Sequence, residues 1–394
     1  MRYNLFVLLT FSLMTSIVWS QEDYRCWAPA DGVPIRQGHH IEWRNPSSAV
    51  RTEGELAGEV AYVWADCRSG DRDVYLQVIT PEGEFKFEEN GIVVANGRDR
   101  QEDPVALACG DGGWIIAWED YHIFDDPLDG IPNNEIYCTK VNDNGERLWG
   151  LDAYGLRVSL YRSNKQNLSI IEDRDGGCII AWDEYRRGWE YGIYGMHITV
   201  NGERDVRWGE NGSLLTTPVR DQNDKQVMSD NAGGMIICWQ HPGQRDGGNT
   251  RAQRVSEAGE LLWGRLGGIS VCPLQTFQFR ARLCSDGQSG AFISWVDRRN
   301  REESGLDIYI QHVDQNGNLL WGDVAGGLPF CTTEFDQNDV QIVASGNGEA
   351  ILIWEDERDF EGEYNLYGMK IGGNEEMIRL WEPEQGVPIA VADR

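Results

Sequence analysis

A unit of about 58 residues recurs six times along this chain, and this repeat constrains the fold more than any other feature. Each copy contains an apolar run that ends in tryptophan, such as CIIAW at residues 178–182. These tryptophans are Trp64, Trp118, Trp182, Trp239, Trp295 and Trp354. A period of this length is typical of repeat architectures, in which each copy is one supersecondary unit that cannot bury its apolar face alone.

A hairpin pattern follows each apolar run. It is clearest in DIYIQHVDQNGNLLWG, residues 307–322, where Asn316 and Gly317 suit the positive φ angles of a type I′ turn. The same pattern recurs at residues 135–150 and 249–264. Each hairpin ends in a second aromatic residue: Phe87, Trp149, Trp208, Trp263, Trp321 and Trp381. Helical periodicity is absent throughout, so the copies are built from strands.

The pattern predicts four antiparallel strands in each copy. The first follows a glutamine, the second is the apolar run, the third begins the hairpin, and the fourth runs through the hairpin to Leu-Trp-Gly. The second strand is apolar on both faces, so neighbouring copies must cover both sides of it. We therefore predict an all-β fold, a single β-propeller with six four-stranded blades. The predicted blades are residues 37–96, 97–161, 162–217, 218–273, 274–332 and 333–391.

The glutamines mark the junctions between copies. They are Gln37, Gln101, Gln166, Gln222, Gln278 and Gln337. Buried polar side chains need partners, so we expect these amides to bond to backbone groups of the linking segments.

Both ends of the chain carry the segment that links the copies. Residues 27–35, WAPADGVPI, match residues 381–389, WEPEQGVPI. The main unit therefore occurs six times and the linking segment seven times. We expect the amino-terminal and carboxy-terminal segments to meet where the ring closes, and a ring of seven blades is the alternative.

The first twenty residues have the pattern of a cleaved export signal. Arg2 provides the positive charge, and the apolar stretch Leu5–Trp19 is short for a membrane span. Val18 and Ser20 are the small residues expected before a cleavage site, so we predict a signal peptide at 1–20 and a mature chain at 21–394. We expect a secreted, periplasmic or cell-surface monomer that is not inserted into a membrane.

Composition excludes several partners. Asp and Glu outnumber Lys and Arg by 64 to 35, and the net charge is −29. Such a surface repels phosphate groups, which argues against nucleic acid and anionic membranes. The nine cysteines lie in apolar strands or beside turns, as small buried side chains do, rather than in a disulfide framework. Because the sequence has no C-x-x-C pair, no zinc site is predicted.

An acid stands two residues after the tryptophan in five copies, and an arginine stands four residues after it in four. Alternate strand positions share a face, so the three side chains are expected to align. The structural interpretation, which we favour, is an acid–arginine pair that joins neighbouring blades. The alternative is a ring of equivalent sugar-binding sites. The four complete motifs are Trp64, Asp66 and Arg68; Trp182, Glu184 and Arg186; Trp295, Asp297 and Arg299; and Trp354, Asp356 and Arg358.

The loops after the second strands and the links between blades are long, and strand alternation places both sets on one face. Loops on a rigid scaffold commonly carry function, so ligand-binding residues are predicted there. The loop of copy two is rich in oxygen ligands and could hold Ca²⁺, although its spacing is not that of an EF-hand. Otherwise no metal or cofactor is predicted. The candidate residues are Tyr121, His122, Asp125, Asp126 and Asp129 in copy two, Trp189 and Tyr191 in copy three, and His241 in copy four.

The recurring pattern D-x-x-G-G-x-I-I-A-W-E-D, then D-I-Y-x-Q-x-V, then N-G-x-x-L-W-G resembles repeats in secreted bacterial β-propeller proteins, over residues 27–391. The sequence contains no G-x-S-x-G, H-E-x-x-H, P-loop or Rossmann motif. We therefore predict a non-catalytic module that binds an extracellular protein or a glycan through its long-loop face. The alternative is a propeller glycoside hydrolase or sialidase-like enzyme with carboxylates at the channel mouth.

Overall fold

The computed structural model describes residues 44–121, 134–152, 154–187, 190–219, 223–242, 248–274, 276–322, 326–359 and 362–390. The predicted signal peptide and the first linking segment lie outside these ranges. Every strand that the structure describes belongs to one of six antiparallel sheets. The helical content of those ranges is one 3₁₀ turn, Val206–Trp208, and none of their helices has the length and hydropathy of a membrane span.

The first three sheets each contain four strands in the order of the sequence or its reverse. Sheet 1 contains β1 (Arg44–Val50), β2 (Val60–Asp66), β3 (Asp73–Ile79) and β4 (Ile92–Ala95). Sheet 2 contains β5 (Gln101–Ala108), β6 (Trp114–Asp120), β7 (Glu135–Val141) and β8 (Leu156–Arg157). Sheet 3 contains β9 (Asn164–Glu172), β10 (Cys178–Arg187), β11 (Glu190–Ile198) and β12 (Ser213–Leu214).

The last three sheets follow the same plan, with one additional short strand in sheet 6. Sheet 4 contains β13 (Asn223–Ser229), β14 (Met235–Pro242), β15 (Gly248–Val255) and β16 (Ile269–Ser270). Sheet 5 contains β17 (Gln278–Ser285), β18 (Ala291–Asp297), β19 (Asp307–Val313) and β20 (Leu328–Cys331). Sheet 6 contains β21 (Gln337–Gly346), β22 (Glu349–Asp356), β23 (Asn365–Gly372), β24 (Ile378–Arg379) and β25 (Val387–Ala390).

Successive sheets pack face to face, and their first strands lie together at the inner edge. β1 packs against β5, β5 against β9, β9 against β13, β13 against β17, and β17 against β21. The second strands are sandwiched between sheets, so every residue of β6 and β18 is buried. Six four-stranded antiparallel sheets stacked in this way are consistent with the predicted β-propeller.

In sheets 1 to 5 the fourth strand is not where the sequence pattern predicted it, whereas in sheet 6 the hairpin arm does form the short strand β24. The hairpin after β19 forms only an isolated bridge between Val313 and Leu319, and the fourth strand is the segment after Leu-Trp-Gly. The reason lies in the hairpin tryptophan. Trp321 leaves the ladder and donates its indole N–H to the carbonyl of Asn374 in sheet 6, at 3.0 Å. The hairpin therefore connects two sheets, and the linking segment completes the blade.

The carboxy-terminal linking segment completes sheet 6. β25 pairs with β23, as β4 pairs with β3 in sheet 1. No strand of sheet 6 that the structure describes packs against sheet 1 as the other neighbouring sheets pack. Ile351 and Ile353 of β22 are accordingly only partly buried, whereas the equivalent Ile115 and Ala117 of β6 are fully buried. Closure of the ring by the two terminal segments therefore stays a prediction.

The turn between the first and second strands of sheet 3 is organised by Asp173. Its Oδ1 accepts hydrogen bonds from the backbone N–H groups of Asp175 and Gly177, at 2.8 and 2.9 Å. Its Oδ2 lies 2.8 Å from Nε2 of His197, and Nδ1 of the same ring lies 2.9 Å from Oδ2 of Asp205. A buried imidazole thus bridges two carboxylates and holds the turn against β11.

Stability is expected to depend on pH through His197. Burial alone would lower the pKa of His197, but its hydrogen bonds to Asp173 and Asp205 raise that pKa above its usual value. A raised histidine pKa stabilises the fold below the unfolded pKa of about 6.5, and this contribution is lost as pH rises through the folded value. We expect His197→Gln to lower the free energy of unfolding by about 1 to 2 kcal/mol at mildly acidic pH. Urea unfolding across the pH range should show the difference narrowing as pH rises, and a constant difference would contradict the assignment.

Candidate functional site

A β-bulge lies near the start of the first strand in at least five sheets, on the face that carries the long loops. The register shifts there, and one residue takes a positive φ. A bulge changes the direction of the side chains around it and is common beside functional sites. The bulged residues are Asp103, Asn167, Asp224, Arg280 and Asp339. The inner edge of the sheets is therefore polar at this face.

Glu119 lies at the end of β6, one residue after Trp118, and is 2% exposed. Its Oε1 accepts the backbone N–H of Asn167 in sheet 3, at 3.0 Å. Its Oε2 accepts the phenol O–H of Tyr121 at 3.0 Å and the side-chain N–H of Asn134 at 2.8 Å. Tyr121 and Asn134 flank the enlarged loop of copy two, so both ends of that loop are anchored on this carboxylate.

The pKa of Glu119 is raised to about 7. Burial is the main cause, because it disfavours the charged form, and the nearby charge of Asp103 adds to it. The three hydrogen-bond donors act in the opposite direction and limit the rise. The carboxyl group therefore changes its protonation state close to neutral pH.

Asp183 occupies the equivalent position in sheet 3, one residue after Trp182. Its Oδ2 accepts the side-chain N–H of Asn167 at 2.8 Å, and its Oδ1 lies 3.2 Å from Nζ of Lys225 in sheet 4. Lys225 also donates to the backbone carbonyl of Asn167. Burial lowers the pKa of Lys225. Asn167 thus contacts both carboxyl groups, and we refer to Glu119 and Asp183 as the carboxylate pair.

The predicted ligand-binding residues are only partly placed. Tyr121 joins the site through Glu119, whereas His122, Asp125, Asp126, Asp129 and Trp189 lie outside the described residues. Tyr191 packs against Tyr185, with ring centroids 5.4 Å apart. His241 lies in β14 opposite Asn249, and burial lowers its pKa. Among the residues that the structure describes, no group of three or more His, Cys, Asp or Glu side chains could hold a metal ion.

The four complete tryptophan–acid–arginine motifs connect strands within one sheet, whereas a connection between neighbouring blades was expected. Each indole N–H donates to the acid at 2.8 to 3.0 Å. Each arginine pairs with the same acid and lies 3.6 to 4.0 Å above a tyrosine ring of the third strand. Each arginine also donates to a carbonyl just before the fourth strand, in Asn90, Asn211, Gly326 and Gln385.

The junction glutamines bond to link carbonyls in sheets 2, 5 and 6, through Gln101, Gln278 and Gln337. Sheet 3 differs, because the register places Lys165, and not Gln166, opposite Glu184. Lys165 is fully buried, donates to the carbonyls of Tyr161 and Ser163, and lies 2.9 Å from Glu135. The prediction for Gln166 was therefore wrong by one residue.

The sequence interpretation missed Glu119 and Asp183 because it followed the position two residues after the tryptophan. A signal was present one residue earlier. That position faces the neighbouring sheet, and it is Ala65 in sheet 1 and Val296 in sheet 5. Where a neighbouring sheet covers this position, as at Glu119 and Asp183, an acid is buried and needs polar partners, which is common at functional sites. Glu355 of sheet 6 occupies the same position but is only partly buried.

No protein-family model and no curated protein matches this sequence. The solved structures that resemble the chain include a protein of unknown function from Dyadobacter fermentans, with 12% identity, coverage of 86% of this chain and 97% of that chain, and a TM-score of 0.42. A family 25 polysaccharide lyase, an ulvan lyase, has 12% identity, coverage of 86% and 84%, and a TM-score of 0.44. A thermostable family 43 glycoside hydrolase has 12% identity, coverage of 72% and 93%, and a TM-score of 0.35. Similarities at this level say nothing about activity or substrate, and the relation to secreted bacterial propeller proteins stays a prediction.

Proposed function

We propose that this protein is a glycan-cleaving enzyme, a glycoside hydrolase, in which Glu119 is the general acid and Asp183 is the second carboxylate. The observation that carries the proposal is the carboxylate pair itself. Two buried carboxyl groups from adjacent sheets contact one asparagine, and the pKa of one of them is about 7. Hydrolysis of a glycosidic bond commonly uses two such groups, one to protonate the leaving oxygen and one to act as nucleophile or base.

The surroundings of Glu119 suit a proton donor. A general acid is most effective when its pKa lies near the working pH. When Glu119 gives its proton to the glycosidic oxygen, it becomes a carboxylate that accepts hydrogen bonds from Asn167, Tyr121 and Asn134. These donors are already in place before the reaction, so they stabilise the charge as it develops.

Asp183 suits the second role because Lys225 and the side chain of Asn167 hold it in one orientation. An ionised carboxylate can attack the anomeric carbon or activate a water molecule. The two groups of the pair differ in environment, as acid and nucleophile or base do in glycosidases.

The non-catalytic binding module predicted from the sequence remains the alternative function on the same face. Recognition of sugar hydroxyl groups requires polar side chains but no group that loses a proton near neutral pH. The raised pKa of Glu119 therefore favours the enzyme over the binding module.

The test is digestion of a panel of purified polysaccharides by the mature chain, in ¹⁸O-labelled water, from about pH 5 to about pH 9. We expect new reducing ends that carry the heavy oxygen, and a rate that falls as pH rises above about 7 because Glu119 loses its proton. Cleavage without ¹⁸O uptake, with unsaturated products, would overturn hydrolysis. Binding of a glycan without any cleavage would support the binding module.

A further inference from the structure

A cavity of about 500 Å³ lies on the long-loop face, at the outer part of sheet 3. We refer to it as the sheet 3 pocket. Glu184 of its lining directly follows Asp183 of the carboxylate pair in β10, and the two side chains point to opposite faces of the sheet. Its lining includes Tyr161, Glu190, Tyr194, Asn211, Leu214 and Pro218.

The floor of the pocket is a cluster in which the charges of Glu184 and Arg186 pair with each other, although Nε of Arg186 is buried without a hydrogen-bond partner. Glu184 is fully buried and accepts hydrogen bonds from Trp182 Nε1 at 2.9 Å, from Arg186 at 2.7 Å and from the hydroxyl of Ser163. The Arg186 guanidinium lies between two tyrosine rings, 3.7 Å from the centroid of Tyr194 and 4.6 Å from that of Tyr161. The floor is therefore fixed and has no uncompensated charge that would select an ionic ligand.

The groups on the wall are those that a sugar ring requires. Tyr161 is 36% exposed as a residue, and one face of its ring already covers Arg186. Leu214 and Pro218 form an apolar wall, and Glu190 and Asn211 add a carboxylate and an amide. A pyranose or furanose has an apolar C–H face and a rim of hydroxyl groups, so aromatic and apolar walls beside carboxylate and amide groups match it.

We propose that the sheet 3 pocket is a distal subsite that binds one uncharged sugar unit of a longer glycan. This inference rests on the proposed function, because it assumes that one glycan occupies both sites. Such a glycan would pass over the end of β10 at the long-loop face, between the sheet 3 pocket and the carboxylate pair. Sugar units at the pair would be cleaved, and a unit farther along the chain would occupy the pocket. Long oligosaccharides should therefore bind more tightly than short ones, and the difference should depend on Tyr161 and Glu190.

The test is calorimetric titration with xylo-, arabino-, cello- and laminari-oligosaccharides of two and six sugar units. Glu119→Gln serves as the background, so that turnover does not interfere. In that background we expect Tyr161→Ala and Glu190→Gln to weaken binding of one hexasaccharide by about tenfold and to leave its disaccharide unchanged. Thr333→Ala is the matched control, since Thr333 stands four residues before Gln337 as Tyr161 stands four before Lys165. It should bind as the background does.

The outcomes separate this inference from the proposed function. If the wild-type protein cleaves a glycan but both pocket variants bind the hexasaccharide normally, the subsite is overturned and the enzyme stands. If the pocket variants lose hexasaccharide binding although no glycan is cleaved, the pocket binds sugar and the enzyme proposal fails. Equal binding of short and long oligosaccharides, or no binding of either, overturns the subsite. Glu190→Gln protects the test against misfolding, because Glu190 is exposed.

Discussion

Glu119→Gln is expected to lower kcat for glycan cleavage by about 10²- to 10⁴-fold, the usual contribution of a general acid. Glutamine has nearly the size of glutamate, and its carbonyl oxygen can still accept a hydrogen bond from Asn167 or Tyr121. It has no proton to give at neutral pH. The loss should therefore appear in kcat, with little change in KM, because the substrate contacts remain.

The matched control is Glu355→Gln in sheet 6. Glu355 also follows the second-strand tryptophan by one residue, and burial together with the charge of Asp339 raises its pKa. It lies in a different sheet from both members of the carboxylate pair, so we expect its variant to keep wild-type activity. The measurement is the initial rate of polysaccharide cleavage by the wild type and both variants, together with the pH dependence of that rate. Equal losses in both variants, or a Glu119 variant as active as the wild type, would remove Glu119 from the mechanism.

The blades could be predicted from sequence because the information is local. Each copy carries its own apolar run, turn and aromatic residues, and six copies of one pattern leave few architectures open. The fourth strand could not be assigned because its position depends on another sheet. Trp321 leaves its hairpin to bond to Asn374, 53 residues away, and the linking segment takes the place of the hairpin arm. Nothing within one copy indicates that contact.

The face of the site was predictable, but its chemistry was not. Antiparallel alternation places the long loops together, and Tyr121 does lie there. The carboxylate pair depends on the bulge at Asn167, whose positive φ directs its backbone N–H to Glu119 and its side chain to Asp183. The same bulge occurs in sheets 2, 5 and 6, where a glutamine faces the acid, so it does not explain why Lys165 faces Glu184. The spacing explains it, because Lys165 stands 17 residues before Trp182, as Gln101 stands 17 residues before Trp118, whereas Gln166 stands 16 residues before Trp182. The sequence alone contained this difference.

Lys165→Met is expected to lower the free energy of unfolding by about 3 to 5 kcal/mol, because it removes one partner of a buried ionic cluster and leaves the other charges behind. Nζ of Lys165 lies 2.9 Å from Glu135 and 3.8 Å from Glu184, and all three side chains are fully buried. Arg157 and Arg186 still contact these carboxylates from their exposed sides. They compensate only part of the buried charge.

Lys165→Gln is the informative control, since glutamine occupies this position in sheets 2, 5 and 6. In sheet 5, Gln278 donates to the link carbonyl of Leu274 beside two buried acids, Asp297 and Asp307. Glutamine at position 165 can therefore restore the hydrogen bonds to the link but not the charge. The free energy of unfolding should decrease clearly less in Lys165→Gln than in Lys165→Met. The measurement is urea unfolding of the wild type, Lys165→Met and Lys165→Gln at neutral pH, with both the slopes and the midpoints of the transitions compared. It separates the contribution of the hydrogen bonds to the link from that of the buried charge. If methionine and glutamine cost the same, the link carbonyls contribute nothing and the charge accounts for the whole effect. If Lys165→Met leaves the free energy of unfolding unchanged, the cluster is not a determinant of stability. The buried lysine at the position of a repeated glutamine would then have to be explained by the neighbouring sheet 3 pocket.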